Sequence, residues 1–141
     1  MTSLPLKITG RVLHGQALGR TIGMPTVNLV PDSIKDRTFS ELPFGVYYSK
    51  IDVDGRIYKG ITNIGIRPTV TAGHEDKPAV TVETYIYDFN EDLYDREITV
   101  TLLAFRRPEM RFSSVDELSA QMHEDMEAGR NYTGFYDRGA L

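Results

Sequence analysis

Cysteine and tryptophan are both absent from this 141-residue sequence. Without cysteine there can be no disulfide, no thiolate nucleophile and no cysteine-ligated zinc, a composition that suits a reducing cytosol. Long hydrophobic runs are missing too. None approaches the roughly 20 residues a membrane-spanning helix needs, and the opening residues MTSLPLKITG lack the charged and apolar stretches of a signal peptide. Positive charge is in short supply: 16 Lys and Arg stand against 20 Asp and Glu, a net charge of −4. No global basic field recruits nucleic acid, so an anionic ligand has to be held by a local site. What remains, 40% hydrophobic and 26% charged residues, is the balance of an ordinary globular domain with one core.

The pattern along the chain is strand-rich, without repeats or low-complexity segments. KITGRVLHG (7–15) reads as a first strand running into a glycine loop. GVYYSKIDVDGRIYKGITNIG (45–65) is two β-rich runs about Asp54-Gly55, the signature of a type I′ hairpin. AVTVETYIYDF (79–89) alternates and REITVTLLAF (96–105) forms a further strand, with the polar turn NEDLYD between them. Strands at this spacing, with no helices between, predict an antiparallel barrel or sandwich. SSVDELSAQMHEDMEAG is the single strong helix: Ser114 and Glu117 fit a capping box, and Gly129 is the expected stop. Val115, Leu118, Met122 and Met126 share one helical face, which predicts a helix packed on the sheet with the methionines as core filling. The organisation expected is a domain over 1–130 and a tail over 131–141.

GRTIGMPTVNL (19–29) is unlike the rest. It is no helix and a poor central strand, and it belongs to a run with Gly10, Gly15, Gly19 and Gly23. Clustered glycines let backbone N–H groups approach an anion. The spacing is not that of a P-loop, because Arg20 stands where lysine is needed and Gly23 and Pro25 prevent a following helix. A phosphate-holding loop between strands and a tight barrel corner both fit. Pro25 stiffens the segment, and in extended backbone Thr26 and Asn28 project to one side. A hydroxyl and an amide oxygen so placed are hard, uncharged ligands of the kind that hold Mg²⁺ when phosphates supply most of its coordination.

Two further positions stand out. In the strand around Glu83, one face carries Val80, Val82, Thr84, Ile86 and Asp88, the other Thr81, Glu83, Tyr85, Tyr87 and Phe89. An acid among aromatics is a candidate general base if that face is covered, and an ordinary surface residue if it is open. FRRPEMRF (105–112) joins three arginines to two phenylalanines; it can clamp a planar ring or phosphate, or be an exposed turn.

In consistent order from about Ile8 to Asp125, the segments GRVLHGQALGRTIGMPTVN, FGVYYSKI, GITNIGIRPTV, VETYIYDFNEDLY and RPEMRFSSVDEL resemble the riboflavin kinase (flavokinase) family. That family includes the kinase module of bacterial bifunctional FAD synthetases. The resemblance implies an all-β, six-stranded Greek-key barrel with a helix packed on it. It implies transfer of the γ-phosphoryl of ATP to the ribityl 5′-hydroxyl of riboflavin, giving FMN and ADP. By position, Thr26 and Asn28 match the metal- and phosphate-binding pair, and Glu83 the catalytic base. Gly15, Gly19, Arg20, Ile86, Asp88 and Tyr94 fall on the ATP side, and Arg107 and Phe112 on the flap over the flavin. The partners implied are riboflavin/FMN and ATP/ADP with Mg²⁺, in a cytoplasmic monomer that engages neither nucleic acid nor membrane.

The sequence departs from the family pattern at Met24, at Val27 (usually alanine), at Asp95 (frequently glycine) and at Met110, where some members carry a basic residue that Arg111 could replace. The nucleotidyltransferase half of bifunctional members has no counterpart in these residues, so FMN is the expected product, unless the chain is a kinase module excised from a bifunctional FAD synthetase. Two other readings remain: a non-catalytic flavin- or nucleotide-binding barrel, and an oligonucleotide-binding barrel. The first has no use for Glu83 beside a metal pair. The second wants aromatics interleaved with Lys and Arg, whereas Tyr85 and Tyr87 share their strand with Glu83 and Asp88.

Overall fold

Alternation along the strands closes them into a barrel. In a computed structural model, residues 4–13, 26–31, 42–69, 77–89, 91–93 and 95–134 are described. The elements are β1 (Leu6–Val12), β2 (Val27–Pro31), β3 (Gly45–Val53), β4 (Arg56–Thr69), β5 (Lys77–Ile86), β6 (Glu97–Pro108) and α1 (Val115–Asn131). The strands pair antiparallel in the closed order β1-β2-β5-β4-β3-β6. β3, β4 and β5 are consecutive neighbours and β6 returns beside β3, the Greek-key arrangement. Closure removes the exposed edges that an open sheet would present. Among the described residues, no helix is long and apolar enough to cross a membrane.

Inward positions fill the barrel: Ile8, Val12, Ile51, Ile64, Val100 and Leu102 are fully buried. The interior also holds hydroxyls, and these satisfy one another. Thr62 bonds Ser49 at 2.8 Å and Thr84 at 2.9 Å, so three strands are linked without an orphaned polar atom. The β3–β4 hairpin turns at Asp54 (φ 52°) and Gly55 (φ 86°), the two positive φ values a type I′ turn requires. Asp95, where a glycine is frequent in the resembling family, has φ 66°. Aspartate tolerates the left-handed region better than most residues, and here its N–H is bonded to the Val12 carbonyl at 2.9 Å.

Two local expectations change. β2 is a strand after all, paired on both sides with β1 and β5: sheet closure overrides a sequence that is locally a poor strand. β1 runs from Leu6 to Val12, where the sequence reads as a strand ending in a glycine loop. The helix does not stop at Gly129 but runs to Asn131, with Tyr132 as its C-cap. Gly129 faces the barrel, where a Cβ would meet the Tyr87 hydroxyl and stand 2.5 Å from Cδ1 of Ile61. Its lack of a side chain permits a close approach rather than ending the helix. At the other end Ser114 caps as expected, accepting from Glu117 N at 3.1 Å. The Glu117 carboxylate reaches past the cap to Ser113, accepting from its N at 2.9 Å and its Oγ at 2.8 Å.

Candidate functional site

Val82 and Thr84 of β5 point into the barrel, each 1% exposed, so Glu83 between them points outward. The register sets Asn28 of β2 opposite Glu83 on one side and Asn63 of β4 opposite it on the other. Directly opposed residues share a face, and the row Asn28–Glu83–Asn63 crosses three strands. Thr26, two residues before Asn28, donates its hydroxyl to Glu83 Oε1 at 2.6 Å. Two segments 57 residues apart are thereby joined at one point.

Glu83 is neither core nor open surface, because α1 and the segment before it stand over this part of the barrel. Between them lies a cavity of about 640 Å³, within the range of small-molecule sites. Thr26, Asn63 and Glu83 line it from the barrel; Ile61, Phe112, Leu118, Met122 and Met126 supply apolar wall. Met126 also packs against the cluster of Val46, Ile61 and Tyr87. The methionines expected as plain core filling are therefore cavity wall as well, while Val115 is mostly exposed at 59%.

The far wall is fastened by charge. Asp125 of α1 is 4% exposed. Its Oδ1 accepts from Arg107 Nε and from Arg106 Nε, both at 2.9 Å, and from Gln121 Nε2 at 3.1 Å; its Oδ2 accepts from Arg107 Nη2 at 2.6 Å. Adjacent strand residues normally face opposite sides. Here the pairing steps from Val46↔Arg107 to Tyr47↔Phe105, leaving Arg106 as the extra residue of a bulge, and a bulge re-aims side chains. Both arginines therefore reach the helix. Burial works to raise the Asp125 pKa, but the hydrogen bonds from Arg107 and Arg106 outweigh it and hold the carboxyl below the ordinary carboxylate range. Nearby, Tyr87 donates to the Met126 carbonyl at 2.6 Å, and its burial pushes the phenol well above the ordinary tyrosine range. Tyr132 stacks on Tyr48 with centroids 4.1 Å apart.

Of the residues singled out in the sequence, Thr26, Asn28 and Glu83 come together, and Phe112 lines the same cavity. Arg107 lines it too, but its Nε and Nη2 are engaged by Asp125 and its Nη1 donates to the Pro108 carbonyl at 3.0 Å. Its guanidinium braces the helix. Ile86 is in the barrel core and Asp88 is exposed in the turn after β5; neither lines the cavity. Gly15, Gly19, Arg20 and Tyr94 lie outside the described residues, as do Gly23, Met24 and Pro25.

Two residues of the site went unmarked in the sequence. Asp125 had a signal: it interrupts the apolar stripe of Leu118, Met122 and Gly129 at helical spacing, where a carboxylate needs a partner. Asn63 had little, since only the register places it beside Glu83. Among the described residues no three His, Cys, Asp or Glu side chains group to hold a metal. The Thr26 hydroxyl and Asn28 amide oxygen are suited instead to a cation coordinated chiefly by phosphate and water.

The sequence model of a family described as Flavokinase: Riboflavin kinase matches residues 2–133. The bifunctional riboflavin kinase/FMN adenylyltransferase of Pseudomonas fluorescens is 40% identical over 127 residues, covering 89% of this chain and 38% of that protein. The protein of the same description from Bacillus subtilis is 34% identical over 128 residues, covering 91% of this chain and 39% of that one. The chain thus spans less than two fifths of the length of these relatives. A solved structure described as a macrolide-efflux protein from Streptococcus pneumoniae superposes with a TM-score of 0.76 at 37% identity, covering 92% of this chain and 40% of that one. Riboflavin kinase from Trypanosoma brucei superposes with a TM-score of 0.57 at 21% identity, covering 89% and 77%, a likeness of fold.

Proposed function

The chain belongs to the riboflavin kinase family, and from this we propose that it transfers the γ-phosphoryl group of ATP to the ribityl 5′-hydroxyl of riboflavin, releasing FMN and ADP. The observation that carries the proposal is the Thr26–Glu83 hydrogen bond in the lining of a largely apolar cavity. Phosphoryl transfer asks mainly for positioning and charge stabilisation. Phe112, Leu118 and Met122 offer apolar surface to the flavin ring, and the ribityl chain then extends toward Glu83. With Thr26 occupying Oε1, Glu83 Oε2 is left to accept the proton of the attacking hydroxyl.

Thr26 and Asn28 would hold Mg²⁺ brought in with ATP, an ion that offsets phosphate charge in a protein of net charge −4. Gly15, Gly19, Arg20, Ile86, Asp88 and Tyr94 are assigned to the nucleotide. Arg107 acts on the flavin side through the wall it braces. The test is incubation with riboflavin and Mg·ATP followed by chromatography. FMN formed in proportion to enzyme is the expected result, and its absence would overturn the proposal.

A further inference from the structure

Asn63 carries the next step. Its position directly across from Glu83 puts the two Cβ atoms about 4.5–5.5 Å apart, a distance spanned by a few carbons of an extended polyol. Thr62, one residue earlier, faces inward and is tied to Ser49 and Thr84. The Asn63 side chain has no such structural duty: it is half-buried, lines the cavity, and makes no hydrogen bond among the described residues. An amide is also a poor choice for strand propensity. Its carbonyl and two N–H groups can both accept from and donate to a hydroxyl. A ligand closing over them without bonding them would incur their desolvation.

We propose that the Asn63 carboxamide hydrogen-bonds the polyol chain of the acceptor, beside the hydroxyl that Glu83 deprotonates, and so selects a polyol-bearing flavin over the bare ring. The proposal rests on the kinase reading above. It makes Asn63 a specificity determinant that works with the base from the neighbouring strand: the ring is held by apolar wall, and the chain is registered by Asn63.

The test compares riboflavin with lumiflavin, which has the same ring system and a methyl group in place of the ribityl chain. Binding is followed by flavin fluorescence, with steady-state kinetics at saturating Mg·ATP. Asn63→Ala should lose about 3- to 10-fold in riboflavin affinity, the effect of one neutral hydrogen bond, and raise KM for riboflavin. Lumiflavin affinity and KM for ATP should not move. Equal weakening of both flavins would assign Asn63 to the cavity wall and overturn the proposal, as would unchanged riboflavin affinity. Asn63→Thr keeps strand propensity but lacks the amide, and should show the same split if the alanine variant folds poorly. A wild-type protein that makes no FMN removes the kinase reading and this proposal with it. One that makes FMN while Asn63→Ala binds riboflavin equally well removes only the role of Asn63.

Discussion

Asp125 on α1 and Arg107 at the end of β6 meet in a two-point ion pair, Nε to Oδ1 at 2.9 Å and Nη2 to Oδ2 at 2.6 Å. The Asp125 side chain is 5% exposed and the Arg107 side chain 17%, and Arg106 shares the same carboxylate. The contact sets how far the helix stands from the barrel, and therefore how wide the cavity is. Removing one partner of a buried pair strands the other, at a cost of about 3–5 kcal/mol. Asp125→Asn should lower unfolding stability by about 3 kcal/mol in urea titration. A loss below about 0.5 kcal/mol would show that the brace does not hold the helix.

The same pair dictates a pH dependence. The Asp125 carboxyl is held below its ordinary value, so its contribution is complete above the unfolded pKa of about 3.9 and is lost as pH falls through the lower folded value. The stability gap between wild type and Asp125→Asn should be constant from pH 5 to 7 and shrink below about pH 4. A gap that persists undiminished at pH 2 would contradict the assignment.

Glu83→Gln keeps the shape of the side chain and removes its basicity. General-base assistance is worth about 10²–10⁴-fold, so kcat for FMN formation should fall by that factor while riboflavin binding, read by fluorescence, is retained. Near-normal turnover in the variant would exclude Glu83 as the base.

Thr26→Ala removes both the oxygen offered to the cation and the hydrogen bond to Glu83. A hydrogen bond to a charged group is worth about 1.5–3 kcal/mol, so the magnesium concentration for half-maximal activity should rise about tenfold or more, with Thr26→Ser restoring it. An unchanged magnesium profile would separate Thr26 from the metal.

Gly129→Ala tests the helix–barrel seam. In an exposed helix this change is favourable by about 1 kcal/mol. Here the added methyl meets Tyr87 and Ile61, and Tyr87 is fixed by its bond to the Met126 carbonyl. Overpacking of this kind costs about 1–3 kcal/mol, so net destabilisation of about 1 kcal/mol is expected in the urea midpoint. A stabilised variant would mean that the seam is loosely packed.

The sequence by itself determined the features that rest on local rules. β-rich runs marked β1 and β3 to β6, with period-two alternation in β5; Asp54-Gly55 specified the β3–β4 turn by demanding positive φ, and Ser114 marked the helix start through its cap. Thr26, Asn28 and Glu83 were legible as chemical oddities, and the family pattern connected them. Local rules fail where the deciding contact is distant in the chain. Gly129 looked like a helix stop because its crowding by Tyr87 and Ile61 cannot be seen along the helix. Arg107 read equally as a clamp or as part of an exposed turn, because the bulge beside Arg106 and the carboxylate 18 residues away exist only once β3, β6 and α1 have docked. Asn63 was an unremarkable strand residue until the β4–β5 register put it opposite Glu83. Register, bulge and helix docking depend on which strands close the barrel, and so it was the tertiary structure that decided which of these side chains share a cavity.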